Sequence, residues 1–168
     1  MPTLPKIAMC AALTMAALPH AAIAARYQGV VTHVTDGDTL WVRKLRGGPP
    51  EHVRIVGIDA PEICQAHGRE SREALASRVL NRRVVMDTSA RDGFDRTVAR
   101  ISIGKEDIGQ WMVSQGQAWS YRFRSSPGPY REEEAAARAA RAGLWSAAHP
   151  DAPRDFRARN GSCQNTRF

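Results

Sequence analysis

Two short segments of this chain gather four carboxylates and a guanidinium. Asp36 and Asp38 lie in TDGDT at Thr35–Thr39, and Asp59 and Glu62 lie with Arg54 in RIVGIDAPE at Arg54–Glu62. Carboxylate oxygens are hard ligands suited to divalent cations, while a guanidinium offers the paired donors that fit a phosphate ester. In a chain of 168 residues with a formal net charge of +7, that combination points to a metal handling a phosphate ester rather than a neutral substrate. Asp38 and Asp59 are the candidate metal ligands. Neither segment has Cys or His at zinc spacing, so His33, His52, His67 and His149 read as surface or packing residues, and calcium is preferred to zinc. Taken singly, each aspartate fits a plainer description as well. Asp36-Gly37-Asp38 is a common turn sequence, and Asp59 ends a strand before Pro61.

These side chains need a frame. Val30–Thr35 and Thr39–Leu45 are β-branched or apolar runs around Asp36-Gly37-Asp38, which predicts a hairpin. A turn at Gly47-Gly48-Pro49-Pro50 leads to a strand over His52–Ile58. Val53, Ile55 and Gly57 share one face of it and His52, Arg54 and Val56 the other, so Arg54 projects from a strand rather than a loop. Arg69–Asn81 predicts a helix with Leu75 and Val79 inward, and Arg82–Thr88 and Thr97–Ile103 predict two more strands. Asp107 is placed to cap a second helix, with Gln110 at the reciprocal position and Ile108, Trp111 and Met112 as its apolar stripe. A third helix opens at Pro129 and runs through Ala142 until Gly143 ends it. Five short strands favour a small closed barrel, because closure removes exposed edges.

Residues 1–24 read as a signal peptide, with Lys6 as a basic start, Ile7–Leu18 as the apolar run and Ala22-Ile23-Ala24 before the cleavage point. A membrane anchor is the alternative. The run falls short of the roughly 20 residues that span a bilayer and is interrupted by Pro19 and His20, so export without stable membrane association is expected, to a secreted or periplasmic location. Lys6 leaves with the signal, and the remaining 23 basic and 17 acidic residues give +6. Twenty-one of the 24 basic residues are arginine, which suits phosphate contacts, although a solvated basic surface has the same composition. Cys64 and Cys163 remain as an even pair in an oxidising compartment, as a disulfide or as two free thiols. A bridge would close a loop of about 100 residues, with a model-dependent stabilisation of roughly 4–5 kcal/mol.

VTDGDTL at Val34–Leu40, VRIVGIDAPE at Val53–Glu62, DRTVARI at Asp95–Ile101 and EAAARAARAGLW at Glu134–Trp145 occur in an order and spacing that resemble the staphylococcal (micrococcal) nuclease, or thermonuclease, family. The resemblance runs from about Tyr27 to Trp145. It implies an α+β fold, a five-stranded oligonucleotide-binding (OB-fold) barrel with three α-helices, in a calcium-dependent phosphodiesterase that acts on DNA and RNA. It further implies Asp38 and Asp59 as the Ca²⁺ ligands, Arg54, Glu62 and Arg96 as catalytic residues, and 3′-phosphate ends formed as water attacks phosphorus and the 5′ oxygen leaves. The expected organisation is a signal peptide at 1–24, a nuclease domain at 25–148 and a basic C-terminal tail at 149–168, tethered by Cys163 if the bridge forms.

The chain departs from the family pattern in three places. Ala60 stands where the founding type has threonine, which removes a hydroxyl but leaves a main-chain carbonyl able to face calcium. Asp95 stands where glycine is common, so it restricts the turn and is placed to neutralise Arg96. The segment after Glu62 is shorter and lacks lysines. These changes bear on rate and substrate positioning more than on the reaction. The competing description is a non-catalytic nucleic-acid-binding OB-fold module. Asp36 and Thr39 fit either support of a calcium-bound water or ordinary turn chemistry, and Tyr121 or Phe123 either base stacking or core packing. Trp41, Trp111 and Trp145 are assigned to structure. Nothing supplies a readable base code, so little sequence specificity is expected, with a preference for single-stranded or flexible DNA and RNA. Arg154, Arg157, Arg159 and Arg167 lie in a tail without sustained apolar period, which reads either as a source of added phosphate contacts or as a loose terminus held only by Cys163.

Overall fold

The first strand, β1 (Arg26–Val34), starts four residues before the expected Val30; Gly29 and Val31 alternate inward, and an irregularity between Val31 and His33 brings Val34 to the same buried side. The computed structural model describes residues 25–121, 123, 125–161 and 163, so the expected signal peptide and Arg167 lie outside the described residues. After the Asp36–Asp38 turn, β2 (Thr39–Lys44) folds back on β1, pairing Val34 with Leu40 and Val31 with Val42. The next strand, β3 (Glu51–Ile55), sets Arg54 beside Thr39.

The strand expected over His52–Ile58 breaks in the middle. Gly57 adopts φ 82°, a conformation that side chains resist, so the chain turns there and resumes as β4 (Ile58–Asp59). Helix α1 (Gly68–Val79) follows, burying Leu75 and Val79 as their spacing predicts. Then come β5 (Arg83–Arg91), β6 (Thr97–Ile103) and the short β7 (Glu106–Asp107). β5 pairs antiparallel with both β1 and β6. β6 runs parallel to β3, with Arg54 beside Val98, and this pairing closes β1, β2, β3, β5 and β6 into a barrel. Val31, Leu40, Val42, Val53, Ile55, Met86 and Ile101 fill its interior.

Helix α2 (Ile108–Ser114) is capped by Asp107, whose side chain accepts from the Gln110 N–H at 3.1 Å. Among the described residues no bond from the Asp107 N–H to the Gln110 side chain forms, and Gln110 Nε2 donates to Glu133 at 2.6 Å. After β8 (Trp119–Ser120), helix α3 (Arg131–Ala139) stops earlier than the expected Ala142. Arg141, at φ 50°, takes the left-handed position assigned to Gly143. Its N–H bonds the Arg138 carbonyl at 3.0 Å while the Ala142 N–H reaches Ala137 at 2.9 Å, the paired closure of a Schellman motif.

The barrel with α1, α2 and α3 is the α+β fold expected of the resemblance, and the structure adds a fourth helix, α4 (Pro153–Asn160). The tail read as a loose terminus is therefore partly folded. Pro153 opens α4 at a position where its missing N–H costs nothing, and Cys163 forms a disulfide with Cys64 across a sequence separation of 99. Among the described residues, no helix is long and apolar enough to cross a membrane.

Candidate active site

Register brings the two acidic segments together. Because Thr39 pairs with Arg54, the turn before β2 lies beside the strand that leads to Asp59. The turn packs closely on its neighbours, since a Cβ at Gly37 would fall 1.8 Å from Ser71 Oγ on α1 and 2.7 Å from Ala60 Cβ. Asp36 Oδ1 accepts from the Asp38 N–H at 3.0 Å and fixes the turn. Asp38 then points inward, 5% exposed, where Oδ2 accepts from the Ala60 N–H at 2.7 Å and Oδ1 from the Thr39 hydroxyl at 2.9 Å. The Ala60 main chain thus bonds directly to Asp38 although the family's hydroxyl is missing.

Arg54 lies between the two candidate ligands. Its Nη2 donates to Asp59 Oδ1 at 3.1 Å, and Nη1 is in close ionic contact with Asp38. Nη1 is buried, and Asp38 is its ionic partner. Burial alone would weaken the guanidinium's hold on its proton, but Asp38, Asp59 and Asp36 outweigh it and raise Arg54. Burial, then the neighbouring Asp38 charge, raises both Asp36 and Asp59. An excess of buried negative charge is the environment that a divalent cation relieves.

Arg96 reaches the same cavity from the turn before β6. Its Nε donates to Asp92 at 2.7 Å and its Nη1 to the Thr39 hydroxyl at 3.3 Å, while the guanidinium lies 5.3 Å from the Phe94 ring centre. Asp95 is left-handed at φ 58°, which explains why glycine is common at this position, and its carboxylate pairs with Arg91. The acid that neutralises Arg96 is therefore Asp92 rather than Asp95. Glu62 sits in the turn after Pro61, where its N–H donates to Gln65 Oε1 at 3.1 Å.

All five expected residues, Asp38, Arg54, Asp59, Glu62 and Arg96, thus meet at one end of the barrel. Asp38, Arg54, Glu62 and Arg96 line a cavity of about 670 Å³, and Asp59 adjoins it through its contact with Arg54. Two exposed aromatics, Tyr121 and Phe94, line it as well; Tyr121 is carried there by β8, which pairs with β4 beside Asp59. Phe123 is 61% exposed. Trp41 stacks on His52 at 4.6 Å, whereas Trp119 and Trp145 pack edge to face at 5.2 Å under α3.

Phe94 and, above all, Arg157 were not legible as parts of the site, whereas His52 packs on Trp41 as expected. From α4, Arg157 Nη1 donates to Glu62 Oε1 at 2.9 Å and Asp59 Oδ1 at 3.2 Å, and Nη2 to Asp59 Oδ2 at 3.2 Å. The one signal for it in the sequence is Cys163, six positions on, whose partner Cys64 is two positions from Glu62. Among the described residues, no three Asp, Glu, His or Cys side chains converge on a single point. Two hard carboxylates, Asp38 and Asp59, nonetheless fit an oxygen-preferring cation that completes its shell with main-chain oxygen and water, and they do not fit a closed zinc site.

A family model described as staphylococcal nuclease homologue matches residues 52–147. Protein ParB of Escherichia coli is 38% identical over 144 residues, which cover 79% of this chain and 80% of that protein. An uncharacterized endonuclease of Haemophilus influenzae is 35% identical over 127 residues, 76% of this chain and 71% of its own. A probable staphylococcal-like nuclease of rice, CAN3, is 33% identical over 120 residues, 71% of this chain but 30% of that longer protein.

Proposed function

We propose, from the premise that the chain belongs to the staphylococcal nuclease family, that it is an endonuclease: a secreted, calcium-dependent phosphodiesterase. It hydrolyses DNA and RNA with little sequence specificity and leaves 3′-phosphate ends. The observation that carries this is the convergence of Asp38, Asp59, Arg54, Glu62 and Arg96 at one cavity.

Phosphodiester hydrolysis is slow because an anion must admit a nucleophile while charge builds on the phosphoryl oxygens. Asp38 and Asp59 would hold a divalent ion, which would supply charge neutralisation and polarisation of the phosphate. Arg54 and Arg96 add directional donors, fixed in advance by β3 and by the Asp92 contact, so that little reorganisation is needed as charge develops. Glu62 positions the attacking water and takes its proton, and the 5′ oxygen departs from phosphorus on the opposite side. Tyr121 and Phe94 offer faces on which unpaired bases stack, which favours single-stranded or flexible substrate without reading sequence.

One observation favours a second reading. Arg157 occupies oxygens of both Asp59 and Glu62, as suits a non-catalytic nucleic-acid-binding OB-fold module. The experiment that decides is cleavage of DNA and RNA by the purified protein with added Ca²⁺, then with excess EDTA, then with calcium restored. The enzyme is expected to lose activity and regain it, leaving 3′-phosphates. Salt-sensitive DNA binding without cleavage at any calcium concentration would establish the binding module instead.

A further inference from the structure

Helix α4 carries a positive charge into the acidic site from 95 residues beyond Glu62. Arg157 is held there as a fork. Its two nitrogens take both oxygens of Asp59 and one of Glu62, and Arg54 shares Asp59 Oδ1. A ligand that binds Asp59 therefore shares its oxygens with Arg157 or displaces it, and a water on Glu62 Oε1 does the same.

The helix is fastened on either side of Arg157, and both fastenings are made to the turn that carries Glu62. Before it, Gln65 Nε2 donates to the Asp151 carbonyl at 2.6 Å, and the same Gln65 side chain accepts from the Glu62 N–H. After it, Cys163 is bridged to Cys64 with a Cα–Cα distance of 5.8 Å. Within α4, Pro153 is buried and Phe156 half-buried. The segment from Asp151 to Cys163 and the Glu62 turn thus form one cross-linked unit, with Arg157 as the cation that points inward.

Charge balance gives this contact a consequence. Asp38, Asp59 and Glu62 are contacted by two guanidiniums, Arg54 and Arg157, since Arg96 is paired with Asp92. Arg157 performs part of the neutralisation that a divalent ion would otherwise perform alone. A group tethered in this way competes as an internal ligand at an effective concentration on the order of millimolar. Such a competitor raises the apparent calcium Kd by the factor of one plus its effective concentration divided by its own dissociation constant from the carboxylates.

We propose that Arg157 is a resident cation of the acidic site, which competes with the divalent ion for Asp59 and with water for Glu62. The Cys64–Cys163 bridge keeps it in place, so the strap sets the calcium concentration at which the site fills. The proposal rests on the calcium reading of the site given above.

Calcium titration of the purified, oxidised protein at fixed ionic strength tests it without recourse to activity, the amide NMR signals of Thr39 and Ala60 reporting occupancy. Arg157→Gln and the double variant Cys64→Ser/Cys163→Ser are expected to lower the calcium Kd by on the order of tenfold. Arg154→Gln makes the same charge change at an exposed position of the same helix and is expected to shift Kd by less than about twofold. Arg157→Lys, which keeps the charge and loses the fork, falls between and serves if Arg157→Gln does not fold. Equal Kd values for Arg157→Gln and Arg154→Gln, with calcium still bound by the wild type, would overturn this proposal alone. Weaker binding by Arg157→Gln would overturn it too and make Arg157 a support of the metal site. Failure of the folded wild type to bind calcium at all would overturn both this proposal and the calcium reading.

Discussion

At Arg96 the guanidinium is divided among Asp92, the Thr39 hydroxyl and the Phe94 ring, so its direction is set before any phosphate arrives. Burial alone would raise Asp92, but backbone and side-chain hydrogen bonds from Arg96, with another from the Phe94 N–H, outweigh it and hold the acid below its usual range. Asp95, adjacent in sequence, takes the strained backbone and turns its charge away. Adjacency was the misleading cue, because a left-handed residue sends its side chain out of the turn that it closes. His52, stacked on Trp41 beside the same cavity, is lowered by burial and then by the positive charge of Arg96. Its folded value is depressed, so the unfolded chain takes the proton first. The stability it contributes is present above the ordinary histidine value and is lost as pH falls from there through the folded value. An NMR titration of the His52 ring is expected to give a midpoint below 6.5, the ordinary histidine value, and a midpoint at or above it would contradict this account of the Trp41 face.

Among the elements, the β4–β8 ribbon has the largest consequence for its size. Each strand has two residues, yet β4 ends on Asp59 and β8 delivers Tyr121. Helix α3 steadies the ribbon from outside the barrel. Its buried Glu134 accepts from the Ser120 N–H at 2.8 Å and from Arg138, whose guanidinium also lies 3.9 Å from the Trp145 ring centre. The EAAARAARAGLW segment therefore serves the site by holding β8. Glu134→Ala would leave a buried N–H unpaired and is expected to cost about 2–3 kcal/mol in urea unfolding, with Glu134→Gln losing less. A loss below about 0.5 kcal/mol would show that β8 does not depend on α3. The elements legible in the sequence are those whose periodicity is enforced by the barrel: β6 occupies the expected residues, and α1 buries Leu75 and Val79 as their spacing required. Helix α4 was not legible, because it buries Pro153 and little else and is held by a disulfide and polar contacts rather than by an apolar stripe.

Across the whole molecule, the barrel fixes Arg54 on β3, and the connections at one end of it supply Asp38, Asp59, Glu62 and Arg96. The juxtaposition of the two acidic segments was legible only as something that adjacent strands could bring about, and the pairing of β2 with β3 decides it. The approach of Arg157 was not legible, because a contact across 95 residues leaves no periodic trace, and only the cysteine pair hinted at it. The positive charge of the chain is likewise not spread evenly over function: Arg54, Arg96 and Arg157 are all turned onto acids at this end, while most of the remaining arginines face solvent. If Glu62, at the meeting point of barrel and strap, takes part in turnover, its removal must slow cleavage. The direct measurement is the initial rate of single-stranded DNA cleavage at saturating calcium by the wild type and by Glu62→Ala, both shown to be folded by circular dichroism. The predicted result is calcium-dependent cleavage by the wild type and a rate lower by a factor on the order of 10² or more in the variant. Equal rates, or no cleavage by the folded wild type, would contradict it.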